Sequence, residues 1–454
     1  MKKKKILLLL PLIILFIGSG YFLIQKRQSN QIVALYPRSQ KSFVGDPMPY
    51  FDGKQMRVYY LDDARDGEVG FHPFHLLKTK DFYHYQDIGE VISYVNEESN
   101  QERALGTGSI IRDKKGQYHA FYTAHNGSLT PKEKIMHAVS RNGDDWQKIP
   151  SDTFAASSQY EANDFRDPYV FWHPQEEKYW MLLTTRTNQT GVIAKYTSSD
   201  LSQWEDEGVF FENDLGNDSN LECPSYVFFE GNWYLAFSDQ WDQRVVHYRV
   251  WDEKTKTFEQ LDNIDFVDGA GFYAGRLETD GENLYLVGWI PTKENHDDRF
   301  KYNWAGNLAT HQLIKNEKNQ LIPKLPTAAR NQIKQEKIDL LTIKRIPVTD
   351  ESILYYDMIQ ADDFSRITLS VGRENHLLID FENLSIGYYN SSLERIEKEM
   401  PLTNISFHEN KTYDFKLVVE DDILVIYLGE KALSNRIYLA NKEEIMIESE
   451  HWNF

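Results

Sequence analysis

Five short apolar runs recur through the first three quarters of the chain: MRVYYLDD (56–63), YHAFYTAHN (118–126), YWMLLTTR (179–186), WYLAFSD (233–239) and LYLVGWI (284–290). Each follows a polar turn (FDGKQ, DKKGQ, HPQEEK, FEGN and TDGEN), and each turn follows another apolar stretch. Apolar run, turn, apolar run is the pattern of a hairpin, here repeated roughly every 50 to 60 residues. A third and fourth element follow in LLKTKDFYHYQDIGEVI (76–92), AVSRNGDDWQKIPSDTF (138–154) and KYTSSDLSQWEDEGVFF (195–211), where a strand runs into a polar turn, an aromatic and a second strand. VWDEKTKTFEQLDNIDF (250–266) and LATHQLIKNEKNQLIPKL (308–325) are looser copies. Four strands per repeat and five repeats predict an all-β, five-bladed β-propeller over residues 31–325. The competing reading is an irregular β-sandwich with coincidental spacing.

Beyond residue 340 the pattern changes. ESILYYDMIQA, RITLSVGR, HLLIDFEN, YDFKLVVEDDILVIYLGE and NRIYLA are short strand-like runs between polar turns, and the blade pattern does not return. Residues 341–454 therefore predict a C-terminal antiparallel β-sandwich, with 326–340 as the linker. At the other end, MKKKK precedes ILLLLPLIILFIGSGYFLI (6–24), followed by QKRQSN. These 19 residues approach the roughly 20 that span a bilayer. A cleaved signal peptide is the alternative, but no A-x-A site is evident and the run is long for a signal. The reading favoured is an uncleaved anchor in residues 1–30. Lysines before the span keep the N-terminus inside and place the rest of the chain outside the cell membrane in a single pass.

Composition narrows the chemistry. The net charge of −19 argues against a nucleic-acid partner. The single cysteine, Cys223, rules out an intramolecular disulfide and a cysteine-based zinc site. The 13 histidines show no metal-binding spacing, and FHPFH (71–75) reads as loop or strand, so neither metal nor cofactor is expected. Aromatics reach 14%, with 27 Tyr, 25 Phe and 10 Trp. That suits both β-sheet and a site for carbohydrate, whose rings stack on flat apolar faces.

Ten to twelve residues before each repeated strand, at the start of the preceding apolar stretch, lie Asp46 (VGDPMPYF), Thr107 (GTGSII), Asp167 (FRDPYVF), Glu222 (ECPSYVFF) and Tyr273 (GFYAGRL). Corresponding positions of successive blades converge on the central channel, so three carboxylates are predicted at one mouth. Like charges so close repel, and at least one should hold its proton near neutral pH. Glycoside hydrolysis uses an ionised carboxylate beside a protonated one. A calcium site would want six or more oxygens, which no Asp/Asn-rich loop supplies here.

These residues also resemble a known family. FRDP (165–168) and ECPSY (222–226) are similar to the paired signatures of glycoside hydrolase family 32, the invertases, levanases and inulinases. HPFHLLKTKDFYHY (72–85), LYLVGWI with YNWAGNLATHQL (302–313), LIPKLPTAAR (321–330) and YDFKLVVEDDILVIYLGEKALSNRIYLA (413–440) extend the resemblance over nearly everything after residue 40. The resemblance implies a propeller followed by a sandwich. It also implies Asp46 as nucleophile, Glu222 as acid/base, and Asp167 with Arg166 holding the fructose hydroxyls. Retention of configuration would place the carboxyls of Asp46 and Glu222 about 5–5.5 Å apart. In the resting enzyme Glu222 then carries the proton and Asp46 the charge. Gly45, Thr107, Gly108, Tyr273, Trp289 and Trp304 complete the expected substrate-binding set.

The departures from the family pattern fall around these residues. At the nucleophile the chain reads FVGDPMPYF, with Gly45 and Met48 where the family usually has Asn. GTG (106–108) stands for the family's F-S-G, and GFY (271–273) for its D-F-Y. The function implied is a retaining hydrolase of β-fructosides outside the cell, with an oligo- or polysaccharide as partner. Three alternatives stand beside it: an arabinofuranosidase-type propeller hydrolase working by inversion, transfructosylation through the same intermediate, and a surface sugar-binding protein without turnover.

Overall fold

A computed structural model describes residues 30–64, 72–349, 351–371, 375–390, 393–407, 409–438 and 444–452. The expected anchor at 6–24 lies outside these residues. Among the described residues no helix is long and apolar enough to cross a membrane.

The chain folds into a five-bladed β-propeller followed by a β-sandwich. Every blade has four antiparallel strands, and Asn30–Val33 adds a fifth to the outer edge of blade one by pairing with His84–Ile92. The inner strands, which line the channel, are Phe43–Phe51, Ala104–Arg112, Phe165–His173, Leu221–Phe229 and Tyr273–Thr279. The repeated apolar runs form the second strands, Met56–Asp63, Tyr118–His125, Lys178–Thr187, Asn232–Asp239 and Leu284–Lys293. Their continuous hydrophobic character is explained by burial on both faces: all eight residues of Met56–Asp63 and all ten of Leu284–Lys293 are buried. The polar turns between inner and second strands close locally. Asp52 accepts the amides of Lys54 and Gln55, and Asp113 those of Lys115 and Gln117. Such Asp turns need a left-handed residue nearby, supplied by Gly53 (φ 88°) and Gly116 (φ 89°).

The ring closes where Val44 of the first inner strand pairs with Gly306 of blade five's third strand, Tyr302–Lys315, which merges blades one and five into a single sheet. The Cβ that Gly306 lacks would lie 1.8 Å from the Ile290 carbonyl, so only glycine fits this seam.

The sandwich packs a five-stranded sheet on a six-stranded one. The expected linker carries a helical turn, Thr327–Arg330, and then a strand, Lys334–Lys337. That strand pairs in parallel with Ile353–Gln360 and so belongs to the edge of the sandwich. The two parts are joined by buried polar contacts. Asp268 accepts the Ser434 amide at 2.8 Å and faces His311 Nε2 at 2.8 Å, while Arg436 Nε donates to the Pro291 carbonyl at 2.8 Å.

Candidate active site

Each inner strand carries a β-bulge at the same place. The register slips between Gly45 and Met48, Leu105 and Gly108, Arg166 and Tyr169, Glu222 and Ser225, and Tyr273 and Arg276. Two residues of the inner strand thus oppose one of its neighbour. The first of the pair is Asp46, Gly106, Asp167, Cys223 or Ala274, and the four that are not glycine take left-handed φ of 36°, 59°, 52° and 50°. Such a conformation costs a non-glycine residue on the order of 1 kcal/mol each, and strain of this kind concentrates at functional sites. The second is Pro47, Thr107, Pro168, Pro224 or Gly275. A bulge interrupts the ladder, so three prolines sit where no amide is needed.

The bulges also correct the expected alignment of blades. Asp46 and Asp167 are equivalent, but Glu222 and Tyr273 precede their bulges by one residue, at the positions of Gly45 and Arg166. Thr107 follows by one. The three carboxylates converge all the same.

Arg166 Nη2 donates to Glu222 Oε1 at 2.9 Å, and the Tyr273 hydroxyl donates to Glu222 Oε2 at 2.7 Å. Arg166 is held in turn by Asp164 (2.8 Å) and Gln240 (3.2 Å). Asp167 Oδ2 accepts the Cys223 amide at 3.0 Å and faces the Thr184 hydroxyl at 3.4 Å. Its own amide donates to Thr123 Oγ1 at 3.0 Å, which fixes the bulge. Asp46 Oδ1 accepts from the Trp289 indole at 3.2 Å.

Burial, reinforced by the charges of Asp167 and Glu222, pushes the Asp46 carboxyl up to about 7; the Trp289 hydrogen bond and Arg276 pull it the other way. Asp167 is raised as well, first by burial, with Arg166 opposing. The upward pressure therefore falls on Asp46, the residue expected to carry the charge, as well as on Asp167. The physical reason is geometric: the Arg166 fork is spent on Glu222 and Asp164, and among the described residues the donor to the Asp46 carboxyl is the neutral Trp289 indole.

The remaining expected residues separate into two layers. Tyr273, Trp289 and Trp304 stand around the carboxylates. Tyr273 meets Trp289 edge-on, as Trp289 meets Trp304, with centroids 5.8 and 6.3 Å apart. Trp304 also packs on His72 at 4.4 Å. Gly45 lies beneath it: a Cβ there would be 2.3 Å from Trp304 Cη2. Thr107 and Gly108 sit one layer back. Thr107 Oγ1 donates to the Asp46 carbonyl at 3.3 Å, and the Gly108 amide points to Met48 Sδ at 3.1 Å. A Cβ on Gly108 would meet the Phe121 carbonyl at 2.0 Å, so this glycine is required by packing between two strands. Of the FHPFH histidines, His72 joins the aromatic wall, and His75 lies 3.3 Å from Asp62. Among the described residues no cluster of His, Cys, Asp and Glu is placed to hold a metal ion.

Sequence reading missed Asp164, Gln240 and Arg276. Asp164 and Gln240 are loop residues that hold Arg166. Arg276 crosses the channel, donating to the carbonyls of Gly108 and Asp167 at 2.5 and 3.4 Å.

The glycosyl hydrolases family 32 N-terminal domain matches residues 37–324 of the chain. The sucrose-6-phosphate hydrolase of Vibrio alginolyticus is 24% identical over 323 residues, 63% of this chain and 61% of that enzyme. The levanbiose-producing levanase of Bacillus subtilis is 27% identical over 293 residues, 58% of this chain and 54% of that enzyme. The chain thus spans a little over half the length of these two relatives. In three dimensions it resembles the Bombyx mori GH32 beta-fructofuranosidase, with a TM-score of 0.72 and 16% identity, covering 97% of this chain and 95% of the other.

Proposed function

The chain belongs to glycoside hydrolase family 32, and from that premise we propose that it is a retaining hydrolase of β-fructosides. The observation that carries this reading is the meeting of Asp46, Asp167 and Glu222 at one mouth of the channel, the two aspartates within bulges and Glu222 directly before one. In the proposed reaction Asp46 attacks the anomeric carbon of a fructosyl unit. As the glycosidic bond breaks, Glu222 gives its proton to the leaving oxygen. Glu222 then takes a proton from water, whose oxygen attacks the same carbon and frees Asp46. Asp167 and Arg166 hold the fructose hydroxyls, and Trp289 donates to the attacking carboxylate. The aromatic wall of Tyr273, Trp289 and Trp304 stacks on the sugar.

We place this activity outside the cell, attached by the apolar run 6–24. The relatives include enzymes named for sucrose-6-phosphate and for levan, so the substrate is sought among sucrose, sucrose-6-phosphate, levan and inulin. The test is product analysis on that panel, with NMR identification of the first-formed fructose anomer. A retained β-anomer is expected. An inverted product would overturn the nucleophilic role of Asp46 and favour an arabinofuranosidase-type mechanism. Binding without any cleavage would leave a sugar-binding protein. Fractionation of the expressing cells tests location: a soluble mature form starting after about residue 25 would remove the anchor.

A further inference from the structure

One side chain reaches across the central channel partway down. Arg276, on the inner strand of blade five, is only 1% exposed. Its Nη1 donates to the Gly108 carbonyl of blade two at 2.5 Å, and its Nη2 to the Asp167 carbonyl of blade three at 3.4 Å. The guanidinium therefore bridges three blades beneath the carboxylates. On the far side lies a separate cavity of about 320 Å³, lined by Arg276 together with Tyr50, Trp172, Phe228 and Glu278.

Arg276 makes an unusual set of bonds for a buried cation. Its hydrogen bonds go to backbone carbonyls, its Nε has no acceptor, and among the described residues no carboxylate lies within ion-pair distance. A buried charge without a direct partner is costly unless the surrounding field favours it. Here the field is that of the mouth above. Facing Asp46 there are Asp167 on blade three and Glu222 on blade four, which are acidic. Cys223 and Tyr273, both pushed up by burial, and the Trp289 indole are neutral. The cations are Arg166, which is engaged by Glu222 and Asp164, and Arg276.

We propose that Arg276 is a positioning residue of the hydrolytic site: a guanidinium bar across the channel floor whose charge favours the ionised form of Asp46 beside Asp167 and Glu222. The role rests on the reading of Asp46 as nucleophile. The arginine's charge acts downward on the proton affinity of both Asp46 and Asp167, in agreement with this placement. Because its bonds reach carbonyls and leave the carboxylates free, the bar neutralises the site without occupying the oxygen that must attack.

The test compares Arg276→Gln with Arg276→Lys. In the Gln variant the acid limb of kcat/KM is expected to move up by about one pH unit, because a nearby positive charge has been lost. The Lys variant keeps its limb within a few tenths of a unit of wild type. An unmoved limb in the Gln variant overturns the proposal. If the Gln variant does not fold, the Lys variant decides, since a limb displaced by about a unit despite the retained charge overturns the proposal equally. A second arm needs no turnover. Asp46→Asn is introduced into wild type and into each Arg276 variant, and the gain in Tm from pH 5 to pH 8 is compared. A larger gain in the Arg276→Gln background than in the wild-type background supports the proposal, and equal gains overturn it. Should wild type cleave no fructoside, the functional reading fails, while this arm still decides the charge role of Arg276.

Discussion

The inner strands of the propeller and the strands of the sandwich are built from similar residues, yet they obey different rules. Asn375–Asp380 and Arg366–Val371 alternate strictly between buried and half-buried positions. They pair without interruption, each side chain assigned to one face by the pleat. Leu221–Phe229 breaks its ladder after two residues, and its counterparts in the other four blades break at the same level. Uninterrupted alternation builds a core and nothing else. An interruption turns side chains that would face a neighbouring blade into the channel, and it accepts left-handed backbone at Asp46 and Asp167 in exchange. Stability and chemistry are thus assigned to different strands of one chain.

The sharpest way to break this division is to remove each kind of residue in turn. Asp46→Ala and Glu222→Ala should each lower turnover by at least about a thousandfold, with little loss of Tm. Substantial activity in a folded variant would remove that residue from the mechanism. Leu377→Ala, in the sandwich core where Leu377 is fully buried, should cost about 2–5 kcal/mol. The folded fraction should keep its kcat, as denaturant titration beside active-site titration will show. A fall in kcat there would mean that the sandwich shapes the site.

Gly45→Ala probes the border between the two classes, because the added Cβ would collide with the Trp304 ring. A stability cost of about 1–3 kcal/mol is expected. A rise in KM of about tenfold should accompany it, from loss of the stacking face. An unchanged KM would show that Trp304 does not meet the sugar.

The smallest effect concerns pH. The Asp46 carboxyl is raised to about 7 in the folded protein, whereas in the unfolded chain it titrates near about 4. Between those values the folded form binds more protons, so this group's contribution to stability falls as pH rises from 4 to 7. Asp46→Asn removes that loss. Its Tm should exceed that of wild type by a few degrees at pH 8, the difference shrinking to nothing below about pH 4. A gain independent of pH would assign the effect to packing.

The same division decides what was legible. Hydrophobic pattern and turn residues disclosed the blades and the sandwich, because burial on two faces or one leaves a direct imprint on sequence. The prolines after Asp46, Asp167 and Cys223 hinted at the bulges but did not locate the slip. Counting positions therefore aligned Glu222 with Asp46, when it aligns with Gly45. Arg276 stayed hidden for the same reason. Plain alternation from Tyr273 would turn residues 275 and 277 toward the channel and Arg276 away. The bulge at Ala274 and Gly275 reverses that order. Arg166 was recognised, but its partnership with Glu222 depends on the approach of blades three and four, which no local pattern records.

The seam at Val44 and Gly306 has a consequence for how the protein fails. The ring is fastened two residues from Asp46, and the fastening is reinforced by the Leu308 amide on the Pro37 carbonyl at 3.0 Å and by Asn307 Nδ2 on the Tyr36 carbonyl at 2.7 Å. Blades two, three and four each hold a complete sheet of their own. Warming should therefore unlatch the ring before any of these sheets melts. Amide exchange at the seam and loss of catalysis should then share one activation energy, lower than that of global unfolding, so that the attacking carboxylate serves as the molecule's fuse.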